Sequence, residues 1–407
     1  MVAALVIDPA ELYDRPSRIE DWAQDGVRRG RVLLVGAGNI GDAASAALVR
    51  AGVGTLAPGR LDVLDSDVVA VANLSRGVCF LPCDVGRPKA EALAERLRGM
   101  NPLLYVRAIV GDVRWDFGTA NFGTYDVVIM ATHSIASRRW INMWAHRIPG
   151  RLKALVNGGI EDLSFAVKTI IPGRTPCYSC ALPDNETTDQ GTVAGCNGLV
   201  GASVDAPVGT NGLMGMAAAA LMANETVRIL AGFEPVFAGK ELRLEGHDRT
   251  VALMNEPYRA TCQDHVAARP DAVLRLSYGA ASTVGSVRGT VAAACAVAGD
   301  SVRLFSPLLL ITALRCDCSN QVCLVPPRPQ AAPISPCCSV CGNADLDRFR
   351  PETARELRSD DLSLAQYGIP DGQSLVAYVA GQRYELVPGV EDDLATAGES
   401  LSAPMSP

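Results

Sequence analysis

Short continuous apolar runs alternate with longer amphipathic ones through the first half of the chain. In RVLLVGAGNIGDAASAALVRAG (residues 31–52), a buried strand meets an alanine-rich helix across a glycine turn. RLDVLDSD (60–67) predicts a second strand ending on acids, and PKAEALAERLRGMN (88–101) a helix. LYVRAIVGD (104–112) and YDVVIMAT (125–132) read as further strands, IASRRWINMWAHRI (135–148) as a helix and KALVNGG (153–159) as another strand. Strands alternating with helices from residue 31 to about 170 predict an α/β fold, with a parallel sheet covered on both faces. LMGMAAAALMANETVRIL (213–230) is a strong helix, and GKELRLEGHDRTVALMNEP (239–257) reads as two antiparallel strands. Residues 266–325 look less regular and lead into a proline-rich linker, PPRPQAAPISP. Residues 346–388 read as a small α/β unit, and the last fifteen as a disordered tail.

The glycines of the first turn, Gly36, Gly38 and Gly41, form G-x-G-x-x-G between strand and helix. They let backbone approach phosphates at a helix N-terminus, whose free N–H groups favour anions. Asp65, ending the second strand, suits ribose hydroxyls of either NAD or ATP, and on this motif alone a dehydrogenase is the default. The next segment, LDSDVVAVANLSRGVCFLPCDVGRPKAEAL, adds Asp67, Asn73, Arg76 and Lys89. A nicotinamide enzyme has no need of an ordered arginine and lysine here. An ATP-cleaving enzyme has, because charge builds on the phosphates as pyrophosphate leaves. Lys89 stands out as one of only four lysines, at what reads as an exposed helix start.

Cys177 and Cys180, in TPCYSCALP, offer half of a zinc site. The other half has three candidates in Cys262-x-x-His265, Cys316-x-Cys318 and Cys338-x-x-Cys341, with Cys323 and Cys337 near the last two.

A net charge of −7 argues against a nucleic-acid partner. The longest uncharged apolar run, GLMGMAAAALMAN, is too short to span a bilayer, so no membrane role is expected. The opening MVAALVI lacks the basic start of a signal peptide. Thirteen cysteines without an export signal point to a reducing compartment, the cytoplasm, where paired cysteines bind metal more often than they form disulfides.

The ordered set D-x-D-x-V…N-L-x-R, D-V-G-x-x-K-A and Asn101–Pro102 resembles the ubiquitin-activating-like ThiF/MoeB/HesA adenylyltransferases. Upstream, LYDRPSRIEDWAQDGVRRGRVLLVGAG resembles that family's tyrosine-x-arginine lead-in, and downstream the helix and strand pair ending in NEP resemble its closing elements. The likeness covers residues 10 to 265 and implies a Rossmann-like sheet. It divides the chain into a lead-in (1–30), a ThiF-type domain (31–265), a zinc-ribbon-like extension (266–345), a ubiquitin-like β-grasp unit (346–392) and a tail (393–407).

The same resemblance implies ATP-dependent adenylation of a carboxylate, with magnesium. Its substrate would be the C-terminus of a ubiquitin-like sulfur carrier, a peptide or a small acid. Gly36, Gly38, Gly41, Asp65, Asp67, Asn73, Arg76 and Lys89 would hold the nucleotide, and Arg15 would reach the ATP site of the second subunit in a homodimer. It pairs Cys177 and Cys180 with Cys262 and His265 on one zinc, leaving Cys316, Cys318, Cys338 and Cys341 as a second set. Cys196 stands near where relatives carry an acceptor cysteine, implying a thioester or persulfide. Three positions depart from the pattern: Asn39 for a glycine, Gly77 for a glutamine, and His133 where a magnesium-binding aspartate is expected. His133 keeps a silent, partner-binding scaffold open as an alternative, and the glycine loop with Asp65 keeps a nicotinamide-dependent oxidoreductase open.

Overall fold

The computed structural model describes residues 7–148, 150–182, 211–262, 264–265, 272–318, 321–329, 338–342 and 349–389. They divide into two compact units, Met1–Val113 with Phe122–Ala268 and Arg114–Asn121 with Arg269–Pro407.

In the first unit two short lead-in helices, α1 (Pro9–Leu12) and α2 (Gln24–Arg28), precede the sheet. There follow β1 (Arg31–Val35), α3 (Asn39–Ala51), β2 (Arg60–Asp65), α4 (Val71–Leu74), α5 (Lys89–Met100) and β3 (Val106–Val110). Next come β4 (Val127–Met130), α6 (Ile135–Ala145), β5 (Ala154–Glu161), β6 (Ser164–Ile170), α7 (Gly212–Leu230), β7 (Lys240–Glu245) and β8 (Thr250–Asn255). The strands make one eight-stranded sheet in the order β3-β2-β1-β4-β5-β6-β7-β8. The first five are parallel and the last three join antiparallel. The parallel reading therefore stops at β5, because only two residues, Asp162 and Leu163, separate it from β6. A two-residue connection can only return as a hairpin.

Val32 and Leu34, Leu61 and Val63, Val127 and Ile129, and Ala154 and Val156 share one core with residues of α3, α5 and α7. The intervening Leu33, Leu64, Val128 and Leu155 are buried as well. Side chains alternate across a strand, so burial at every position means cover on both faces. Among the described residues α7 is the one helix long and apolar enough to cross a bilayer. It lies instead against α3, β5 and β6, and Gly158 of β5 leaves room for Met222, whose sulfur would lie 2.2 Å from an added Cβ. On the same helix the fully buried Glu225 accepts hydrogen bonds from the Thr169 hydroxyl (2.8 Å) and from the N–H groups of Val236 (2.8 Å) and Phe237 (2.9 Å).

The second unit contains β9 (Ala272–Leu276), α8 (Val284–Cys295), β10 (Val302–Cys316), β11 (Gln321–Pro329), β12 (Phe349–Leu357), β13 (Leu375–Val379) and β14 (Gln382–Pro388). These strands form one sheet ordered β11-β10-β13-β14-β9, with β12 along the other side of β10. The stretch 272–316 is thus more regular than its composition suggested. The valines and glycines of α8 mask a helix that Thr283 caps by accepting from Ser286 N–H. Part of the expected linker, residues 326–329, belongs to β11, where prolines are tolerated because the strand lies at the sheet's edge. The expected boundary at 345/346 falls inside this single sheet.

Glu225→Ala should lower unfolding stability by about 2–4 kcal/mol, because it leaves the buried Phe237 N–H, the Val236 N–H and the Thr169 hydroxyl without their acceptor. Urea unfolding followed by tryptophan fluorescence would measure this, and an unchanged midpoint would contradict it.

Candidate functional site

Direct pairing of β1 with β4 makes a topological switch, with α3 following one strand and α6 the other. Ligands of open α/β sheets sit outside the carboxyl ends of strands at such a point. Gly36 turns there with φ +97°, and a Cβ on it would lie 2.6 Å from the Ala131 carbonyl at the end of β4. Gly41 is equally constrained, since its Cβ would meet the Gly36 oxygen at 1.9 Å. Gly38 differs: nothing lies within 4 Å of a Cβ placed there. Two of the three glycines therefore close the turn, while Gly38 leaves backbone open at the N-terminus of α3.

Asp65 locks this loop to its neighbour. One carboxylate oxygen accepts from Ala37 N–H (2.6 Å) and the other from Asp67 N–H (2.8 Å). Burial pushes the carboxyl's pKa upward, and these two N–H groups pull it back. Lys89 does not stand exposed at its helix start as the sequence suggested. It is 9% exposed and donates to Asp67 at 2.8 Å. Its loop is held by Asp84, fully buried, which accepts from Leu81 N–H (2.9 Å) and pairs with Arg96 and Arg87 (both 2.9 Å). The hydrogen bonds from Arg96, before any other cause, hold the Asp84 carboxyl below its ordinary range.

Asn73 accepts from Ala70 N–H at 2.8 Å, closing the turn into α4, and the half-buried Arg76 donates to Ala72 O at 3.2 Å. A Cβ on Gly212, which begins α7, would lie 3.2 Å from Arg76 Cα, so this segment reaches the start of α7. Gly77, the departure from glutamine, has a local cause: a Cβ there would come within 2.5 Å of an Asp42 oxygen. Asp42, fully buried in the first turn of α3, accepts from Val78 N–H (2.7 Å) and Cys79 N–H (3.0 Å). Asn39, the other departure, packs its amide against Gly215 of α7.

His133 is exposed on the loop after β4, beside the glycine turn. Magnesium prefers hard oxygen donors. Here the strand end offers an imidazole, and Asp67 is already paired with Lys89. The donors in place do not fit the expected magnesium site.

Arg15 is not brought to this cluster. Tyr13 is buried at the far end of α3, where a Cβ on Gly52 would lie 2.8 Å from its ring, and its hydroxyl accepts from Asn101 at 2.9 Å. A helix of 13 residues separates that point from the glycine loop, about 20 Å at 1.5 Å per residue. Two residues of chain beyond Tyr13 add at most about 7 Å. Cys196 lies outside the described residues.

Sequence reasoning passed over Arg138, Asp42 and Asp84. Arg138 is 2% exposed and ties the loop of His133 to β5, donating to Thr132 O (2.8 Å), Gly158 O (2.9 Å) and the Asn157 side chain. A charged residue in the interior of an amphipathic helix was the one available signal. The acids gave none, because a buried carboxylate reads like a surface one.

Cys177, Cys180, Cys262 and His265 converge as expected, all four ligand atoms lying within 4.8 Å of one another. Cys177 Sγ is 3.6 Å from Cys262 Sγ and 3.2 Å from His265 Nδ1, and Cys180 Sγ is 3.7 Å from that nitrogen. Burial lowers the His265 pKa, which favours the neutral imidazole that ligates metal. Three sulfurs and a nitrogen at these separations fit a closed tetrahedral zinc site, which would staple the turn after β6 to the segment after β8. Asp264 ties the same segments together, accepting from Ser179 and pairing with Arg139 at 3.3 Å. Cys316, Cys318, Cys338 and Cys341 form the second converging set.

The profile of the ThiF family matches residues 13–266. The chain is 30% identical over 247 residues to Adenylyltransferase and sulfurtransferase MOCS3 of Aedes aegypti, an alignment covering 60% of this chain and 52% of that protein. It is 30% identical over 254 residues to Sulfur carrier protein adenylyltransferase of Thermus thermophilus, covering 60% of this chain and 87% of the relative. The chain thus spans about half the length of the first relative and most of the second. Among solved structures, E. coli MccB resembles it in fold with a TM-score of 0.51 at 21% identity, over 64% of this chain and 73% of that one.

The glycines give a paired prediction. Gly41→Ala should fail to fold or melt far below the parent, given the 1.9 Å contact. Gly38→Ala should keep the parent's melting temperature yet weaken ATP binding at least about tenfold by calorimetry, roughly 1.4 kcal/mol. Equal ATP affinity in Gly38→Ala would remove this loop from nucleotide binding.

Proposed function

We propose that this chain, which belongs to the ThiF family, activates a carboxylate by adenylation with ATP. One carboxylate oxygen attacks the α-phosphorus, the bond to the bridging oxygen breaks, and pyrophosphate leaves an acyl-adenylate behind. The nucleophile is already ionised at neutral pH, so the protein supplies placement and charge neutralisation and no general base.

The observation that carries the reading is the open backbone at Gly38, beside a cation that the fold holds in place. Gly38 stands clear at the strand switch, and the loop around it is fixed through Asp65 to Asp67 and so to Lys89. Phosphates arriving there would compete with Asp67 for the Lys89 ammonium, and Arg76 would add a second cation. The open alternative of a nicotinamide enzyme leaves both cations without a task. For the substrate, the names of the relatives favour the C-terminal carboxylate of a ubiquitin-like sulfur carrier, and a peptide C-terminus is the other candidate. Two clusters of cysteines placed within reach of one ion each suit a reducing, cytoplasmic compartment.

A homodimer is part of this proposal. The resemblance implies that Arg15 serves a second copy's site, and the helix between it and its own glycine loop supports that reading. Leu12 (46% exposed) and Ile19 (53%) flank Arg15, and Val68 (55%) and Val71 (70%) are bare between Asp67 and Asn73, so a docked partner would cover apolar surface on both sides. His133 supports a second reading, in which the chain has lost its chemistry and keeps the fold as a scaffold.

ATP–pyrophosphate exchange, dependent on a Gly-Gly carrier or peptide from the same organism, tests the proposal. Lys89→Ala should abolish exchange while the chain stays folded. Mixing Arg15→Ala with Lys89→Ala chains should restore about a quarter of the parent's activity, from the one complete site in each mixed dimer. No recovery, or a monomer by light scattering at micromolar concentration, would refute the shared site. His133→Asp decides between the two readings. Faster, more magnesium-dependent exchange supports a weakened enzyme, whereas no ATP binding in parent or variant supports the scaffold.

A further inference from the structure

The long strand β10 outruns its neighbours. Its first residues, Val302–Phe305, pair with β13, but from Leu310 to Cys316 it pairs only with β11 and β12. This three-stranded extension ends in Cys316 and Cys318. Among the described residues, Ile311, Leu314, Cys316 and Cys338 form one buried cluster there, so sulfur makes up half of it. Leu310 and Ala313 are buried along the same stretch of β10.

Cysteine geometry supplies a further constraint. Cys338, Ser339, Val340 and Cys341 make a tight turn closed by Gly342, which takes φ +67° and returns its N–H to Cys338 O at 2.8 Å. A side chain at 342 would be strained in that conformation, and the turn brings both sulfurs of C-x-x-C to one side. Cys341 Sγ lies 3.7 Å from Cys316 Sγ, and Cys338 Sγ lies 3.4 Å from Cys318 Sγ. All four sulfurs fall within 4.8 Å of one another. A disulfide needs about 2.05 Å. A tetrahedron with metal–sulfur bonds of 2.3 Å has sulfur–sulfur edges of about 3.8 Å.

We infer that Cys316, Cys318, Cys338 and Cys341 form a second metal site, a tetrathiolate for zinc that fastens the end of the β10–β11–β12 extension. It is independent of the adenylation reading, since it lies beyond residue 266, where the family match ends. The ligand set is all sulfur, in contrast to the three sulfurs and one nitrogen of the first site, and four thiolates select soft tetrahedral ions. Two of its cysteines, Cys318 and Cys341, are exposed, whereas Cys177, Cys180 and Cys262 are all buried. The second ion should therefore leave first under a chelator.

The test uses the full chain, purified under reducing conditions. Elemental analysis should find two zinc ions per chain. Cys316→Ser with Cys341→Ser should leave one, and Cys177→Ser with Cys180→Ser should also leave one. Alkylation of the parent gives a reading that no variant's folding can spoil. Cys83 is exposed and outside both clusters, so it reports the rate for an accessible thiol. Cys318 and Cys341 should react at least tenfold more slowly than Cys83 until a chelator is added, and then at a comparable rate. Alkylation of these two at the Cys83 rate with zinc present would overturn the site. So would a disulfide among the four on peptide mapping, or iron with visible absorbance in place of zinc.

Discussion

A single buried carboxylate organises the first unit's site. Asp65 stands at the end of β2 with one oxygen on the loop after β1 and the other on the loop that follows it. Together with the Gly36 N–H on Leu64 O (2.9 Å), those two bonds fix the glycine turn relative to Asp67, and so to Lys89, which is paired with Asp67. The cost of burying the carboxylate is offset by N–H donors that the turn must leave free. The result is an arrangement in which backbone amides that could be orphaned instead fix the shape of the glycine turn.

The carboxylates around it serve a common purpose. Asp42 holds the 77–79 segment, Asp84 holds the approach to α5, and Glu225 holds the entry to β7. Each accepts from backbone N–H groups outside regular structure, where the chain cannot satisfy itself. Arg138 plays the reverse part, giving donors to a carbonyl on the loop after β4 and to one within β5. Rigid loops at a strand switch suit chemistry that depends on placement more than on proton transfer.

Cysteine provides a second kind of constraint, at places the hydrophobic core does not reach. The first cluster ties the turn after β6 to the segment beyond the exposed edge strand β8, and the second closes the end of β10. In both, residues distant in sequence meet within the reach of one ion.

The order of strands and helices to β5, the glycine turn, the acids after β2 and the two clusters of cysteine and histidine were legible in the sequence. Each is a local pattern or a resemblance carried by short motifs with fixed spacing. Three things waited on tertiary structure. Lys89 reads as a solvated charge until Asp67 is seen beside it, because ion pairing across 22 residues leaves no periodic trace. Residues 272–316 hid a strand, a helix and a long strand, because β-branched residues and glycines weaken every local signal and only pairing with β13, β14 and β12 orders them. Arg15 could be assigned to a lead-in from its motif, yet only the anchoring of Tyr13 at the far end of α3 placed it out of reach of its own loop. Pattern along a chain records which side chains prefer burial; which loops meet depends on the strand order, and that is decided by packing over the whole sheet.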